Sequence, residues 1–179
     1  KTTIFNSLTG ARQRVGNYPG VTVEWKQGSY KRGDLHLELY DLPGTYSLTT
    51  FSEEELVARD FLLGSGPDVV IAVVDASNLE RNLFLVTELL EIGRPLVIAL
   101  NMVDVAKGRG LKIDVSRLAD KLGVPVVPTI GNRGEGMDQL VQAVNEVAAW
   151  DQGRPATGGI CGEATPDPAN LAAVHPVLG

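Results

Sequence analysis

Five short clusters of this 179-residue chain carry residue types suited to phosphate and purine chemistry, and they follow one another in a telling order. The first is Lys1-Thr2. A lysine and a hydroxyl residue at a helix start close the pattern G-x-x-x-x-G-K-[ST], in which the ammonium bridges phosphate oxygens and the hydroxyl reaches Mg2+. The second is Thr22, in Gly20-Val21-Thr22-Val23-Glu24, a hydroxyl that suits a further magnesium ligand when a terminal phosphate is present. The third is Asp41-Leu42-Pro43-Gly44. Its carboxylate, at the end of a strand, is placed to hold a magnesium water, and its glycine N–H can approach the terminal phosphate because no Cβ intervenes. The fourth is Asn101-Met102-Val103-Asp104. A carboxylate at Asp104 accepts N1–H and N2–H of guanine together, whereas adenine offers neither and would leave it unpaired. Asn101 is expected to tie this loop to the phosphate loop. Met102 can cover one face of the base but offers no cation, where a lysine is usual. The fifth, Ile130-Gly131-Asn132, is expected to turn backbone N–H groups toward guanine O6.

Each cluster alone is also what an ordinary helix start or a turn after a strand looks like. The joint order carries the argument. Asp41 lies 40 positions after Lys1, and Asn101 lies 60 after Asp41. Each cluster also falls on the same side of an expected strand. The combination predicts a guanine-nucleotide site with GTP or GDP and Mg2+ as ligands.

The elements that must position these residues can be read from periodicity. Residues 2–9 read as a helix closed by Gly10. Residues 11–20 read as a polar loop. Residues 21–30 are rich in β-branched and aromatic types, and residues 35–40 alternate apolar with polar, so the two form an antiparallel hairpin turned at 31–34. Ser52 and Glu55 make a capping box for a helix to about residue 63. The continuous apolar run 69–74 marks a parallel strand buried on both faces. A helix follows, capped by Ser77 or Asn78, then a strand over 96–100. A short helix capped by Asp114, a strand over 124–128 and a helix over about 136–150 complete the pattern. Alternating strands and helices predict a doubly wound, mostly parallel sheet with one antiparallel strand, in which ligands bind at the carboxyl ends of the strands.

Composition narrows the function classes. A formal net charge of −6 argues against a nucleic-acid surface. Cys161 is the only cysteine, so no intrachain disulfide can form. The longest wholly apolar run, six residues at 69–74, is far short of the roughly 20 a membrane helix needs. In residues 151–179, nine of 29 are Gly or Pro, which reads as a linker or the start of a following domain, with a further element beginning near Asn170. The domain expectation is therefore 1–150 for the nucleotide domain and 151–179 for the linker. The sequence opens on Lys1 with neither the first strand nor the glycine-rich front of the phosphate loop ahead of it, which predicts weak nucleotide binding by the chain as it stands.

Four stretches carry a family resemblance: residues 8–24 (LTGARQRVGNYPGVTVE), 41–48 (DLPGTYSL), 74–83 (VDASNLERNL) and 101–104 (NMVD). On these the chain resembles the cytosolic G domain of bacterial ferrous iron transport protein B, a Ras-like P-loop GTPase, over about residues 1–150. The resemblance implies GTP hydrolysis coupled to Fe2+ uptake through a membrane domain elsewhere in the same polypeptide, at the cytoplasmic face of the bacterial inner membrane. It places residues 20–24 in the first switch and 41–44 at the start of the second, and it implies a helical domain after the G domain. It also implies an activating K+ ion beside the phosphates, helped by an asparagine of the missing loop front. With no glutamine between residues 41 and 59 to orient water, catalysis would fall to the Gly20-Val21-Thr22 backbone acting with that cation. A second departure is Gly131, where a small hydroxyl residue is common. The rival readings are a ribosome-assembly GTPase, which the acidic charge disfavours, a GTP-sensing module that gates a channel, and an ATPase.

Overall fold

A computed structural model describes residues 2–10, 13–17, 23–33, 35–44, 48, 52–64, 67–152 and 170–176. Its elements in chain order are α1 (Thr2–Thr9), β1 (Gln13–Asn17), β2 (Glu24–Arg32), β3 (Leu35–Asp41), α2 (Glu53–Leu63) and β4 (Val69–Asp75). They continue with α3 (Leu79–Ile92), β5 (Leu96–Asn101), α4 (Val103–Gly108), α5 (Val115–Leu122), β6 (Val126–Thr129), α6 (Met137–Gln152) and β7 (Asn170–Pro176). The strands form one seven-stranded sheet in the order β1-β2-β3-β7-β4-β5-β6. Only β2 runs against the rest, since it pairs antiparallel with both β1 and β3 while β3, β7, β4, β5 and β6 are parallel.

The sheet separates two apolar layers, and strand period decides which residue enters which. Along β4, Val69, Ile71 and Val73 join α1 and α6, while Val70, Ala72 and Val74 face α2 and α3. β5 divides the same way, with Val97 and Ala99 on the first face and Leu96, Ile98 and Leu100 on the second. All of these side chains are buried, and burying each valine, leucine or isoleucine among them is worth about 1.5–3 kcal/mol. A continuous apolar run is therefore what a strand covered on both faces requires.

The local signals act as expected at several ends. Ser52 and Glu55 form the reciprocal capping box of α2. Asp114 accepts the Arg117 N–H at the start of α5. Arg94 closes the far end of α2, donating to the carbonyls of Leu62 at 3.1 Å and Gly64 at 2.9 Å, where helix carbonyls lack partners.

The structure adds detail to the expected elements. Residues 13–17, read as loop, form the edge strand β1. Its register is held by Gln13, whose amide donates to Asn6, Thr9 and the Gly10 carbonyl at the end of α1. Gly16 lies flat over Trp25, whose ring a Cβ there would meet at 2.8 Å. Asn78 is the N-cap residue of α3 but makes no side-chain bond there, and one turn earlier the Asp75 carboxylate accepts the Ser77 N–H at 2.8 Å and caps the short 3-10 turn 76–78. Residues 103–108, to which the sequence assigned no element, form a short helix. Near the expected boundary at 151, α6 runs to Gln152, and Asn170–Pro176 forms a strand in the centre of the sheet.

The stretch 74–83 is a self-satisfied lock. Asn82, wholly buried on α3, accepts the Asp75 N–H at 3.3 Å and donates to the Asn78 carbonyl at 2.8 Å. It pins the end of β4 to α3, which a buried amide does only when both of its ends are paired.

Candidate nucleotide site

Parallel strands bring Asp41, Asp75, Asn101 and Thr129 to one edge of the sheet, each at or next to the carboxyl end of its strand. The register sets Asp75 beside Asn101 and Asn101 beside Thr129. Asp41 is three strands away from Asn101, across β7 and β4, about 14 Å at the usual strand spacing.

The best-defined part of this edge is the base-side loop pair. Asn101 is 9% exposed, and its Oδ1 accepts the Gly131 N–H at 2.9 Å and the Thr129 hydroxyl at 3.4 Å. The Gly131 carbonyl in turn accepts the Ser7 hydroxyl of α1 at 3.1 Å. The loop after β5, the loop after β6 and α1 are thus fastened to one another at a single residue. Gly131 is small for a reason visible here, since a Cβ would meet the Ile4 side chain at 3.0 Å and Asn101 Oδ1 at 3.3 Å. This accounts for a glycine where a small hydroxyl residue was expected.

Two sequence expectations change in detail. The bonds of Asn101 run to Gly131 and Thr129, and its link toward the phosphate side passes through the Gly131 carbonyl and Ser7. The N–H of Gly131 is spent on Asn101, and that of Ile130 on the Glu135 carbonyl at 3.0 Å, so these two donors are not offered to a ligand. Thr129 and Ser7 were not singled out from the sequence. Their partners lie 28 and 124 positions away, and no local pattern announces such a pairing.

Met102 is the only described non-glycine residue with positive φ, at 60°. An unbranched side chain held in the left-handed region costs on the order of 1 kcal/mol, and such strain concentrates at functional loops. The bend lets Ala106 N–H bond back to the Met102 carbonyl and starts α4 at once. It leaves Met102 38% exposed and Asp104 half-buried in the first turn of the helix.

On the metal side, Asp41 is 6% exposed at the end of β3, followed by buried Leu42 and half-buried Pro43 and Gly44. Leu48, further on, is anchored by its N–H to the Glu88 carboxylate of α3 at 2.9 Å. Thr2 opens α1 and is exposed, Val23 is buried, Glu24 begins β2 and is exposed, and Asn132 is exposed. Lys1, Gly20, Val21 and Thr22 lie outside the described residues, as does Thr45. Among the described residues no three His, Cys, Asp or Glu converge. On this side the described oxygen donors named above are the Asp41 carboxylate and the Thr2 hydroxyl. Oxygen donors of that kind suit a hard ion such as Mg2+, which is usually held by one or two carboxylates together with substrate phosphates.

A glycine fixes the geometry of the loop from behind. Gly136 has φ +83°, and a Cβ there would stand 2.3 Å from the Pro128 carbonyl oxygen. Gly136→Ala is expected to destabilise the fold by about 2 kcal/mol in urea unfolding. Gly108→Ala, which would meet nothing within 4 Å, should lie within about 0.5 kcal/mol of the unsubstituted chain.

Comparison with known proteins follows the same lines. The family described as ferrous iron transport protein B matches residues 1–144. The Fe(2+) transporter FeoB of Salmonella typhimurium is 52% identical over 155 residues, 84% of this chain and 20% of that protein. The Escherichia coli K12 transporter of the same name is 49% identical over 153 residues. The chain thus spans about a fifth of the length of the curated relatives it matches. Among solved structures, the G domain of the T. maritima FeoB iron transporter is 44% identical at a TM-score of 0.77, covering 83% of this chain and 91% of that one. A mutant of S. thermophilus NFeoB bound to GDP is 54% identical at a TM-score of 0.75, over 80% of this chain and 56% of the other. The T. maritima cytosolic domain in its GMPPNP form is 45% identical at a TM-score of 0.79, over 82% and 58%.

Proposed function

The chain belongs to the ferrous iron transport protein B family and has the fold of its GTPase G domain, and we propose that it binds and hydrolyses GTP to couple nucleotide state to Fe2+ uptake. The observation that carries this reading is the fastening of Asn101 to Gly131 and Thr129, with the left-handed Met102 and Asp104 directly after it. Under this reading the Asp104 carboxylate and the loop 130–132 flank the purine ring. Asp104 accepts N1–H and N2–H of guanine, and Met102 covers one face of the ring. With the Ile130 and Gly131 donors already used, the N–H of Asn132 is the one of the three directed to O6.

At the other end of the edge, Lys1 bridges the phosphates, and Thr2, Thr22 and Asp41 hold Mg2+ directly or through water. When bound, the ion neutralises charge on the transferring phosphoryl group. The Gly44 N–H senses the terminal phosphate. The backbone of Gly20, Val21 and Thr22, with K+ beside it, orients the attacking water. The roughly 14 Å between Asp41 and Asn101 is bridged by the nucleotide lying along the strand ends.

No helix among the described residues is long and apolar enough to cross a membrane. On this reading transport runs through a membrane domain elsewhere in the polypeptide, the chain covering a fifth of its relatives' length, and the G domain lies at the cytoplasmic face of the bacterial inner membrane. Residues 1–152 together with the strand 170–176 make up this domain, and 153–169 connect the two. The family match leaves the ribosome-assembly reading without support.

The test is nucleotide competition and phosphate release on protein that carries a complete phosphate loop ahead of Lys1. GDP and GTP should displace a fluorescent guanine nucleotide while ATP does not. Phosphate should appear slowly, on the order of 10⁻³ s⁻¹ without an activator. Equal displacement by ATP, or no phosphate release at any time, would overturn the assignment.

A further inference from the structure

Of the six backbone N–H groups in the turn 130–135, five are hydrogen-bonded within the protein. Ile130 donates to the Glu135 carbonyl at 3.0 Å, and Arg133 and Glu135 both donate to the Ile130 carbonyl, at 3.0 and 3.3 Å. Gly134 donates to the Gly131 carbonyl at 3.4 Å, and Gly131 donates to Asn101 Oδ1 at 2.9 Å. Asn132 is the sixth. It is exposed, and among the described residues its N–H meets no acceptor. The turn therefore keeps one backbone donor open beside the loop that carries Asn101.

What aims that donor is the carbonyl of the same peptide unit. The Gly131 C=O and the Asn132 N–H belong to one planar trans amide, in which they point in opposite directions. Fixing the oxygen fixes the hydrogen. The oxygen is held by Ser7 of α1, whose hydroxyl donates to it at 3.1 Å. The bond from Gly134 to the same oxygen is longer and local, so it closes the turn without tying it to another element. Such a tie matters here because the residue on the carbonyl side is glycine, the one least able to hold a peptide plane by its own torsional preference.

The same stretch of helix supports the turn by packing. Ile4 lies three positions before Ser7, and residues at that spacing are neighbours on one helix face. Ile4 is wholly buried, and its side chain lies against Gly131, where a Cβ would meet it at 3.0 Å. Ile4 thus fixes how close the turn comes to α1, and Ser7 fixes how the amide 131–132 is rotated.

We propose that Ser7 is a positioning residue for purine recognition, setting the plane of the Gly131–Asn132 amide so that the Asn132 N–H meets a 6-oxo purine. The use of that donor on guanine O6 rests on the nucleotide-domain reading above. The ligand class is a keto purine, because the amino group of adenine at the same ring position would set donor against donor.

The test crosses one substitution with one change of ligand, on the protein used for nucleotide competition above. 6-Thio-GDP keeps N1–H and N2–H2 for Asp104 but puts sulfur, a weaker acceptor, in place of O6. The unsubstituted protein should prefer GDP to 6-thio-GDP roughly three- to tenfold, the scale of one neutral hydrogen bond. Ser7→Ala should weaken GDP by about that factor and move 6-thio-GDP less than about twofold, so that the preference disappears. Ser7→Thr, which returns the hydroxyl, should return the preference. Alanine is a better helix former than serine, so Ser7→Ala should leave α1 intact, and thermal melting checks this.

A merely structural role for Ser7 would weaken both ligands alike, and that result overturns the proposal. A GDP preference untouched by Ser7→Ala overturns it too. If the unsubstituted protein selects GDP over ADP yet binds 6-thio-GDP equally well, Asp104 still reads the base and the Ser7 proposal alone falls. If it does not select GDP over ADP, the base reading falls and the proposal falls with it.

Discussion

Asp104→Asn should weaken GTP binding by about 2–5 kcal/mol and raise the relative affinity for xanthosine triphosphate. The magnitude is that of truncating one partner of a desolvated hydrogen-bonded pair in which a polar group is left facing the wrong partner. The direction follows from the donor pattern. The carboxylate accepts two hydrogens from guanine. The amide turns one acceptor into a donor, which guanine N2–H2 cannot use and a xanthine carbonyl can. Asp104 is half-buried in the first turn of α4, behind the left-handed Met102, so its backbone position is set by β5 and α4 and the substitution should leave the fold intact. Thermal melting of the variant checks that, and competition between GTP and xanthosine triphosphate checks the chemistry. The measurement requires protein with a complete phosphate loop. Unchanged GTP affinity in a folded variant would remove Asp104 from the base site.

Asp104 could be singled out from the sequence because everything that places it is local. The apolar stretch 96–100 declares a buried strand, Asn101 ends it, and the carboxylate follows within one turn. Asp41 was legible for the same reason, at the end of an alternating run. The capping residues Ser52 and Asp114 act within three positions of themselves. The parts that stayed hidden depend on partners far along the chain. β1 is an edge strand of mixed polarity. Gln13, Gly16 and Val15 show no alternation, and only the open edge of β2 and the reach of Gln13 to α1 make it a strand. β7 is central in the sheet yet separated from its neighbours β3 and β4 by more than 90 positions, so an apolar run of four residues after a Gly/Pro-rich stretch gave no sign of where it would pair. Non-local pairing of this kind leaves no periodicity of its own. The same holds inside the site. The donors that Asn101 Oδ1 accepts from, Thr129 and Gly131, became visible only when β6 was laid beside β5.

Catalysis poses the sharper problem, because the residue after Gly44 is Thr45 and no glutamine lies between positions 41 and 59. A threonine side chain is too short to hold an attacking water in line with the terminal phosphate. Phosphoryl transfer asks for positioning and charge neutralisation more than for a strong base. Under the proposed assignment, the water is placed by the backbone at Gly20, Val21 and Thr22, and charge is balanced by Mg2+ on Thr2, Thr22 and Asp41 with K+ alongside. Two substitutions then separate sharply. Thr22→Ala deletes a magnesium ligand present only with the triphosphate and should slow single-turnover hydrolysis by roughly 100-fold, the scale of losing one preorganised stabilising group. Thr45→Ala should change the rate less than about threefold, well under 1 kcal/mol of barrier. Replacing K+ by Na+ at constant ionic strength should slow the unsubstituted protein and Thr45→Ala by the same factor. Asp41 ends β3, Leu42 is buried, and Leu48 is held by Glu88 on α3, and thermal melting of Thr45→Ala separates a rate loss from misfolding. Single-turnover phosphate release in both salts, on protein with a complete phosphate loop, decides the matter. A large loss for Thr45→Ala with little for Thr22→Ala would move the water-positioning group from the first switch to the second and overturn this account of the site.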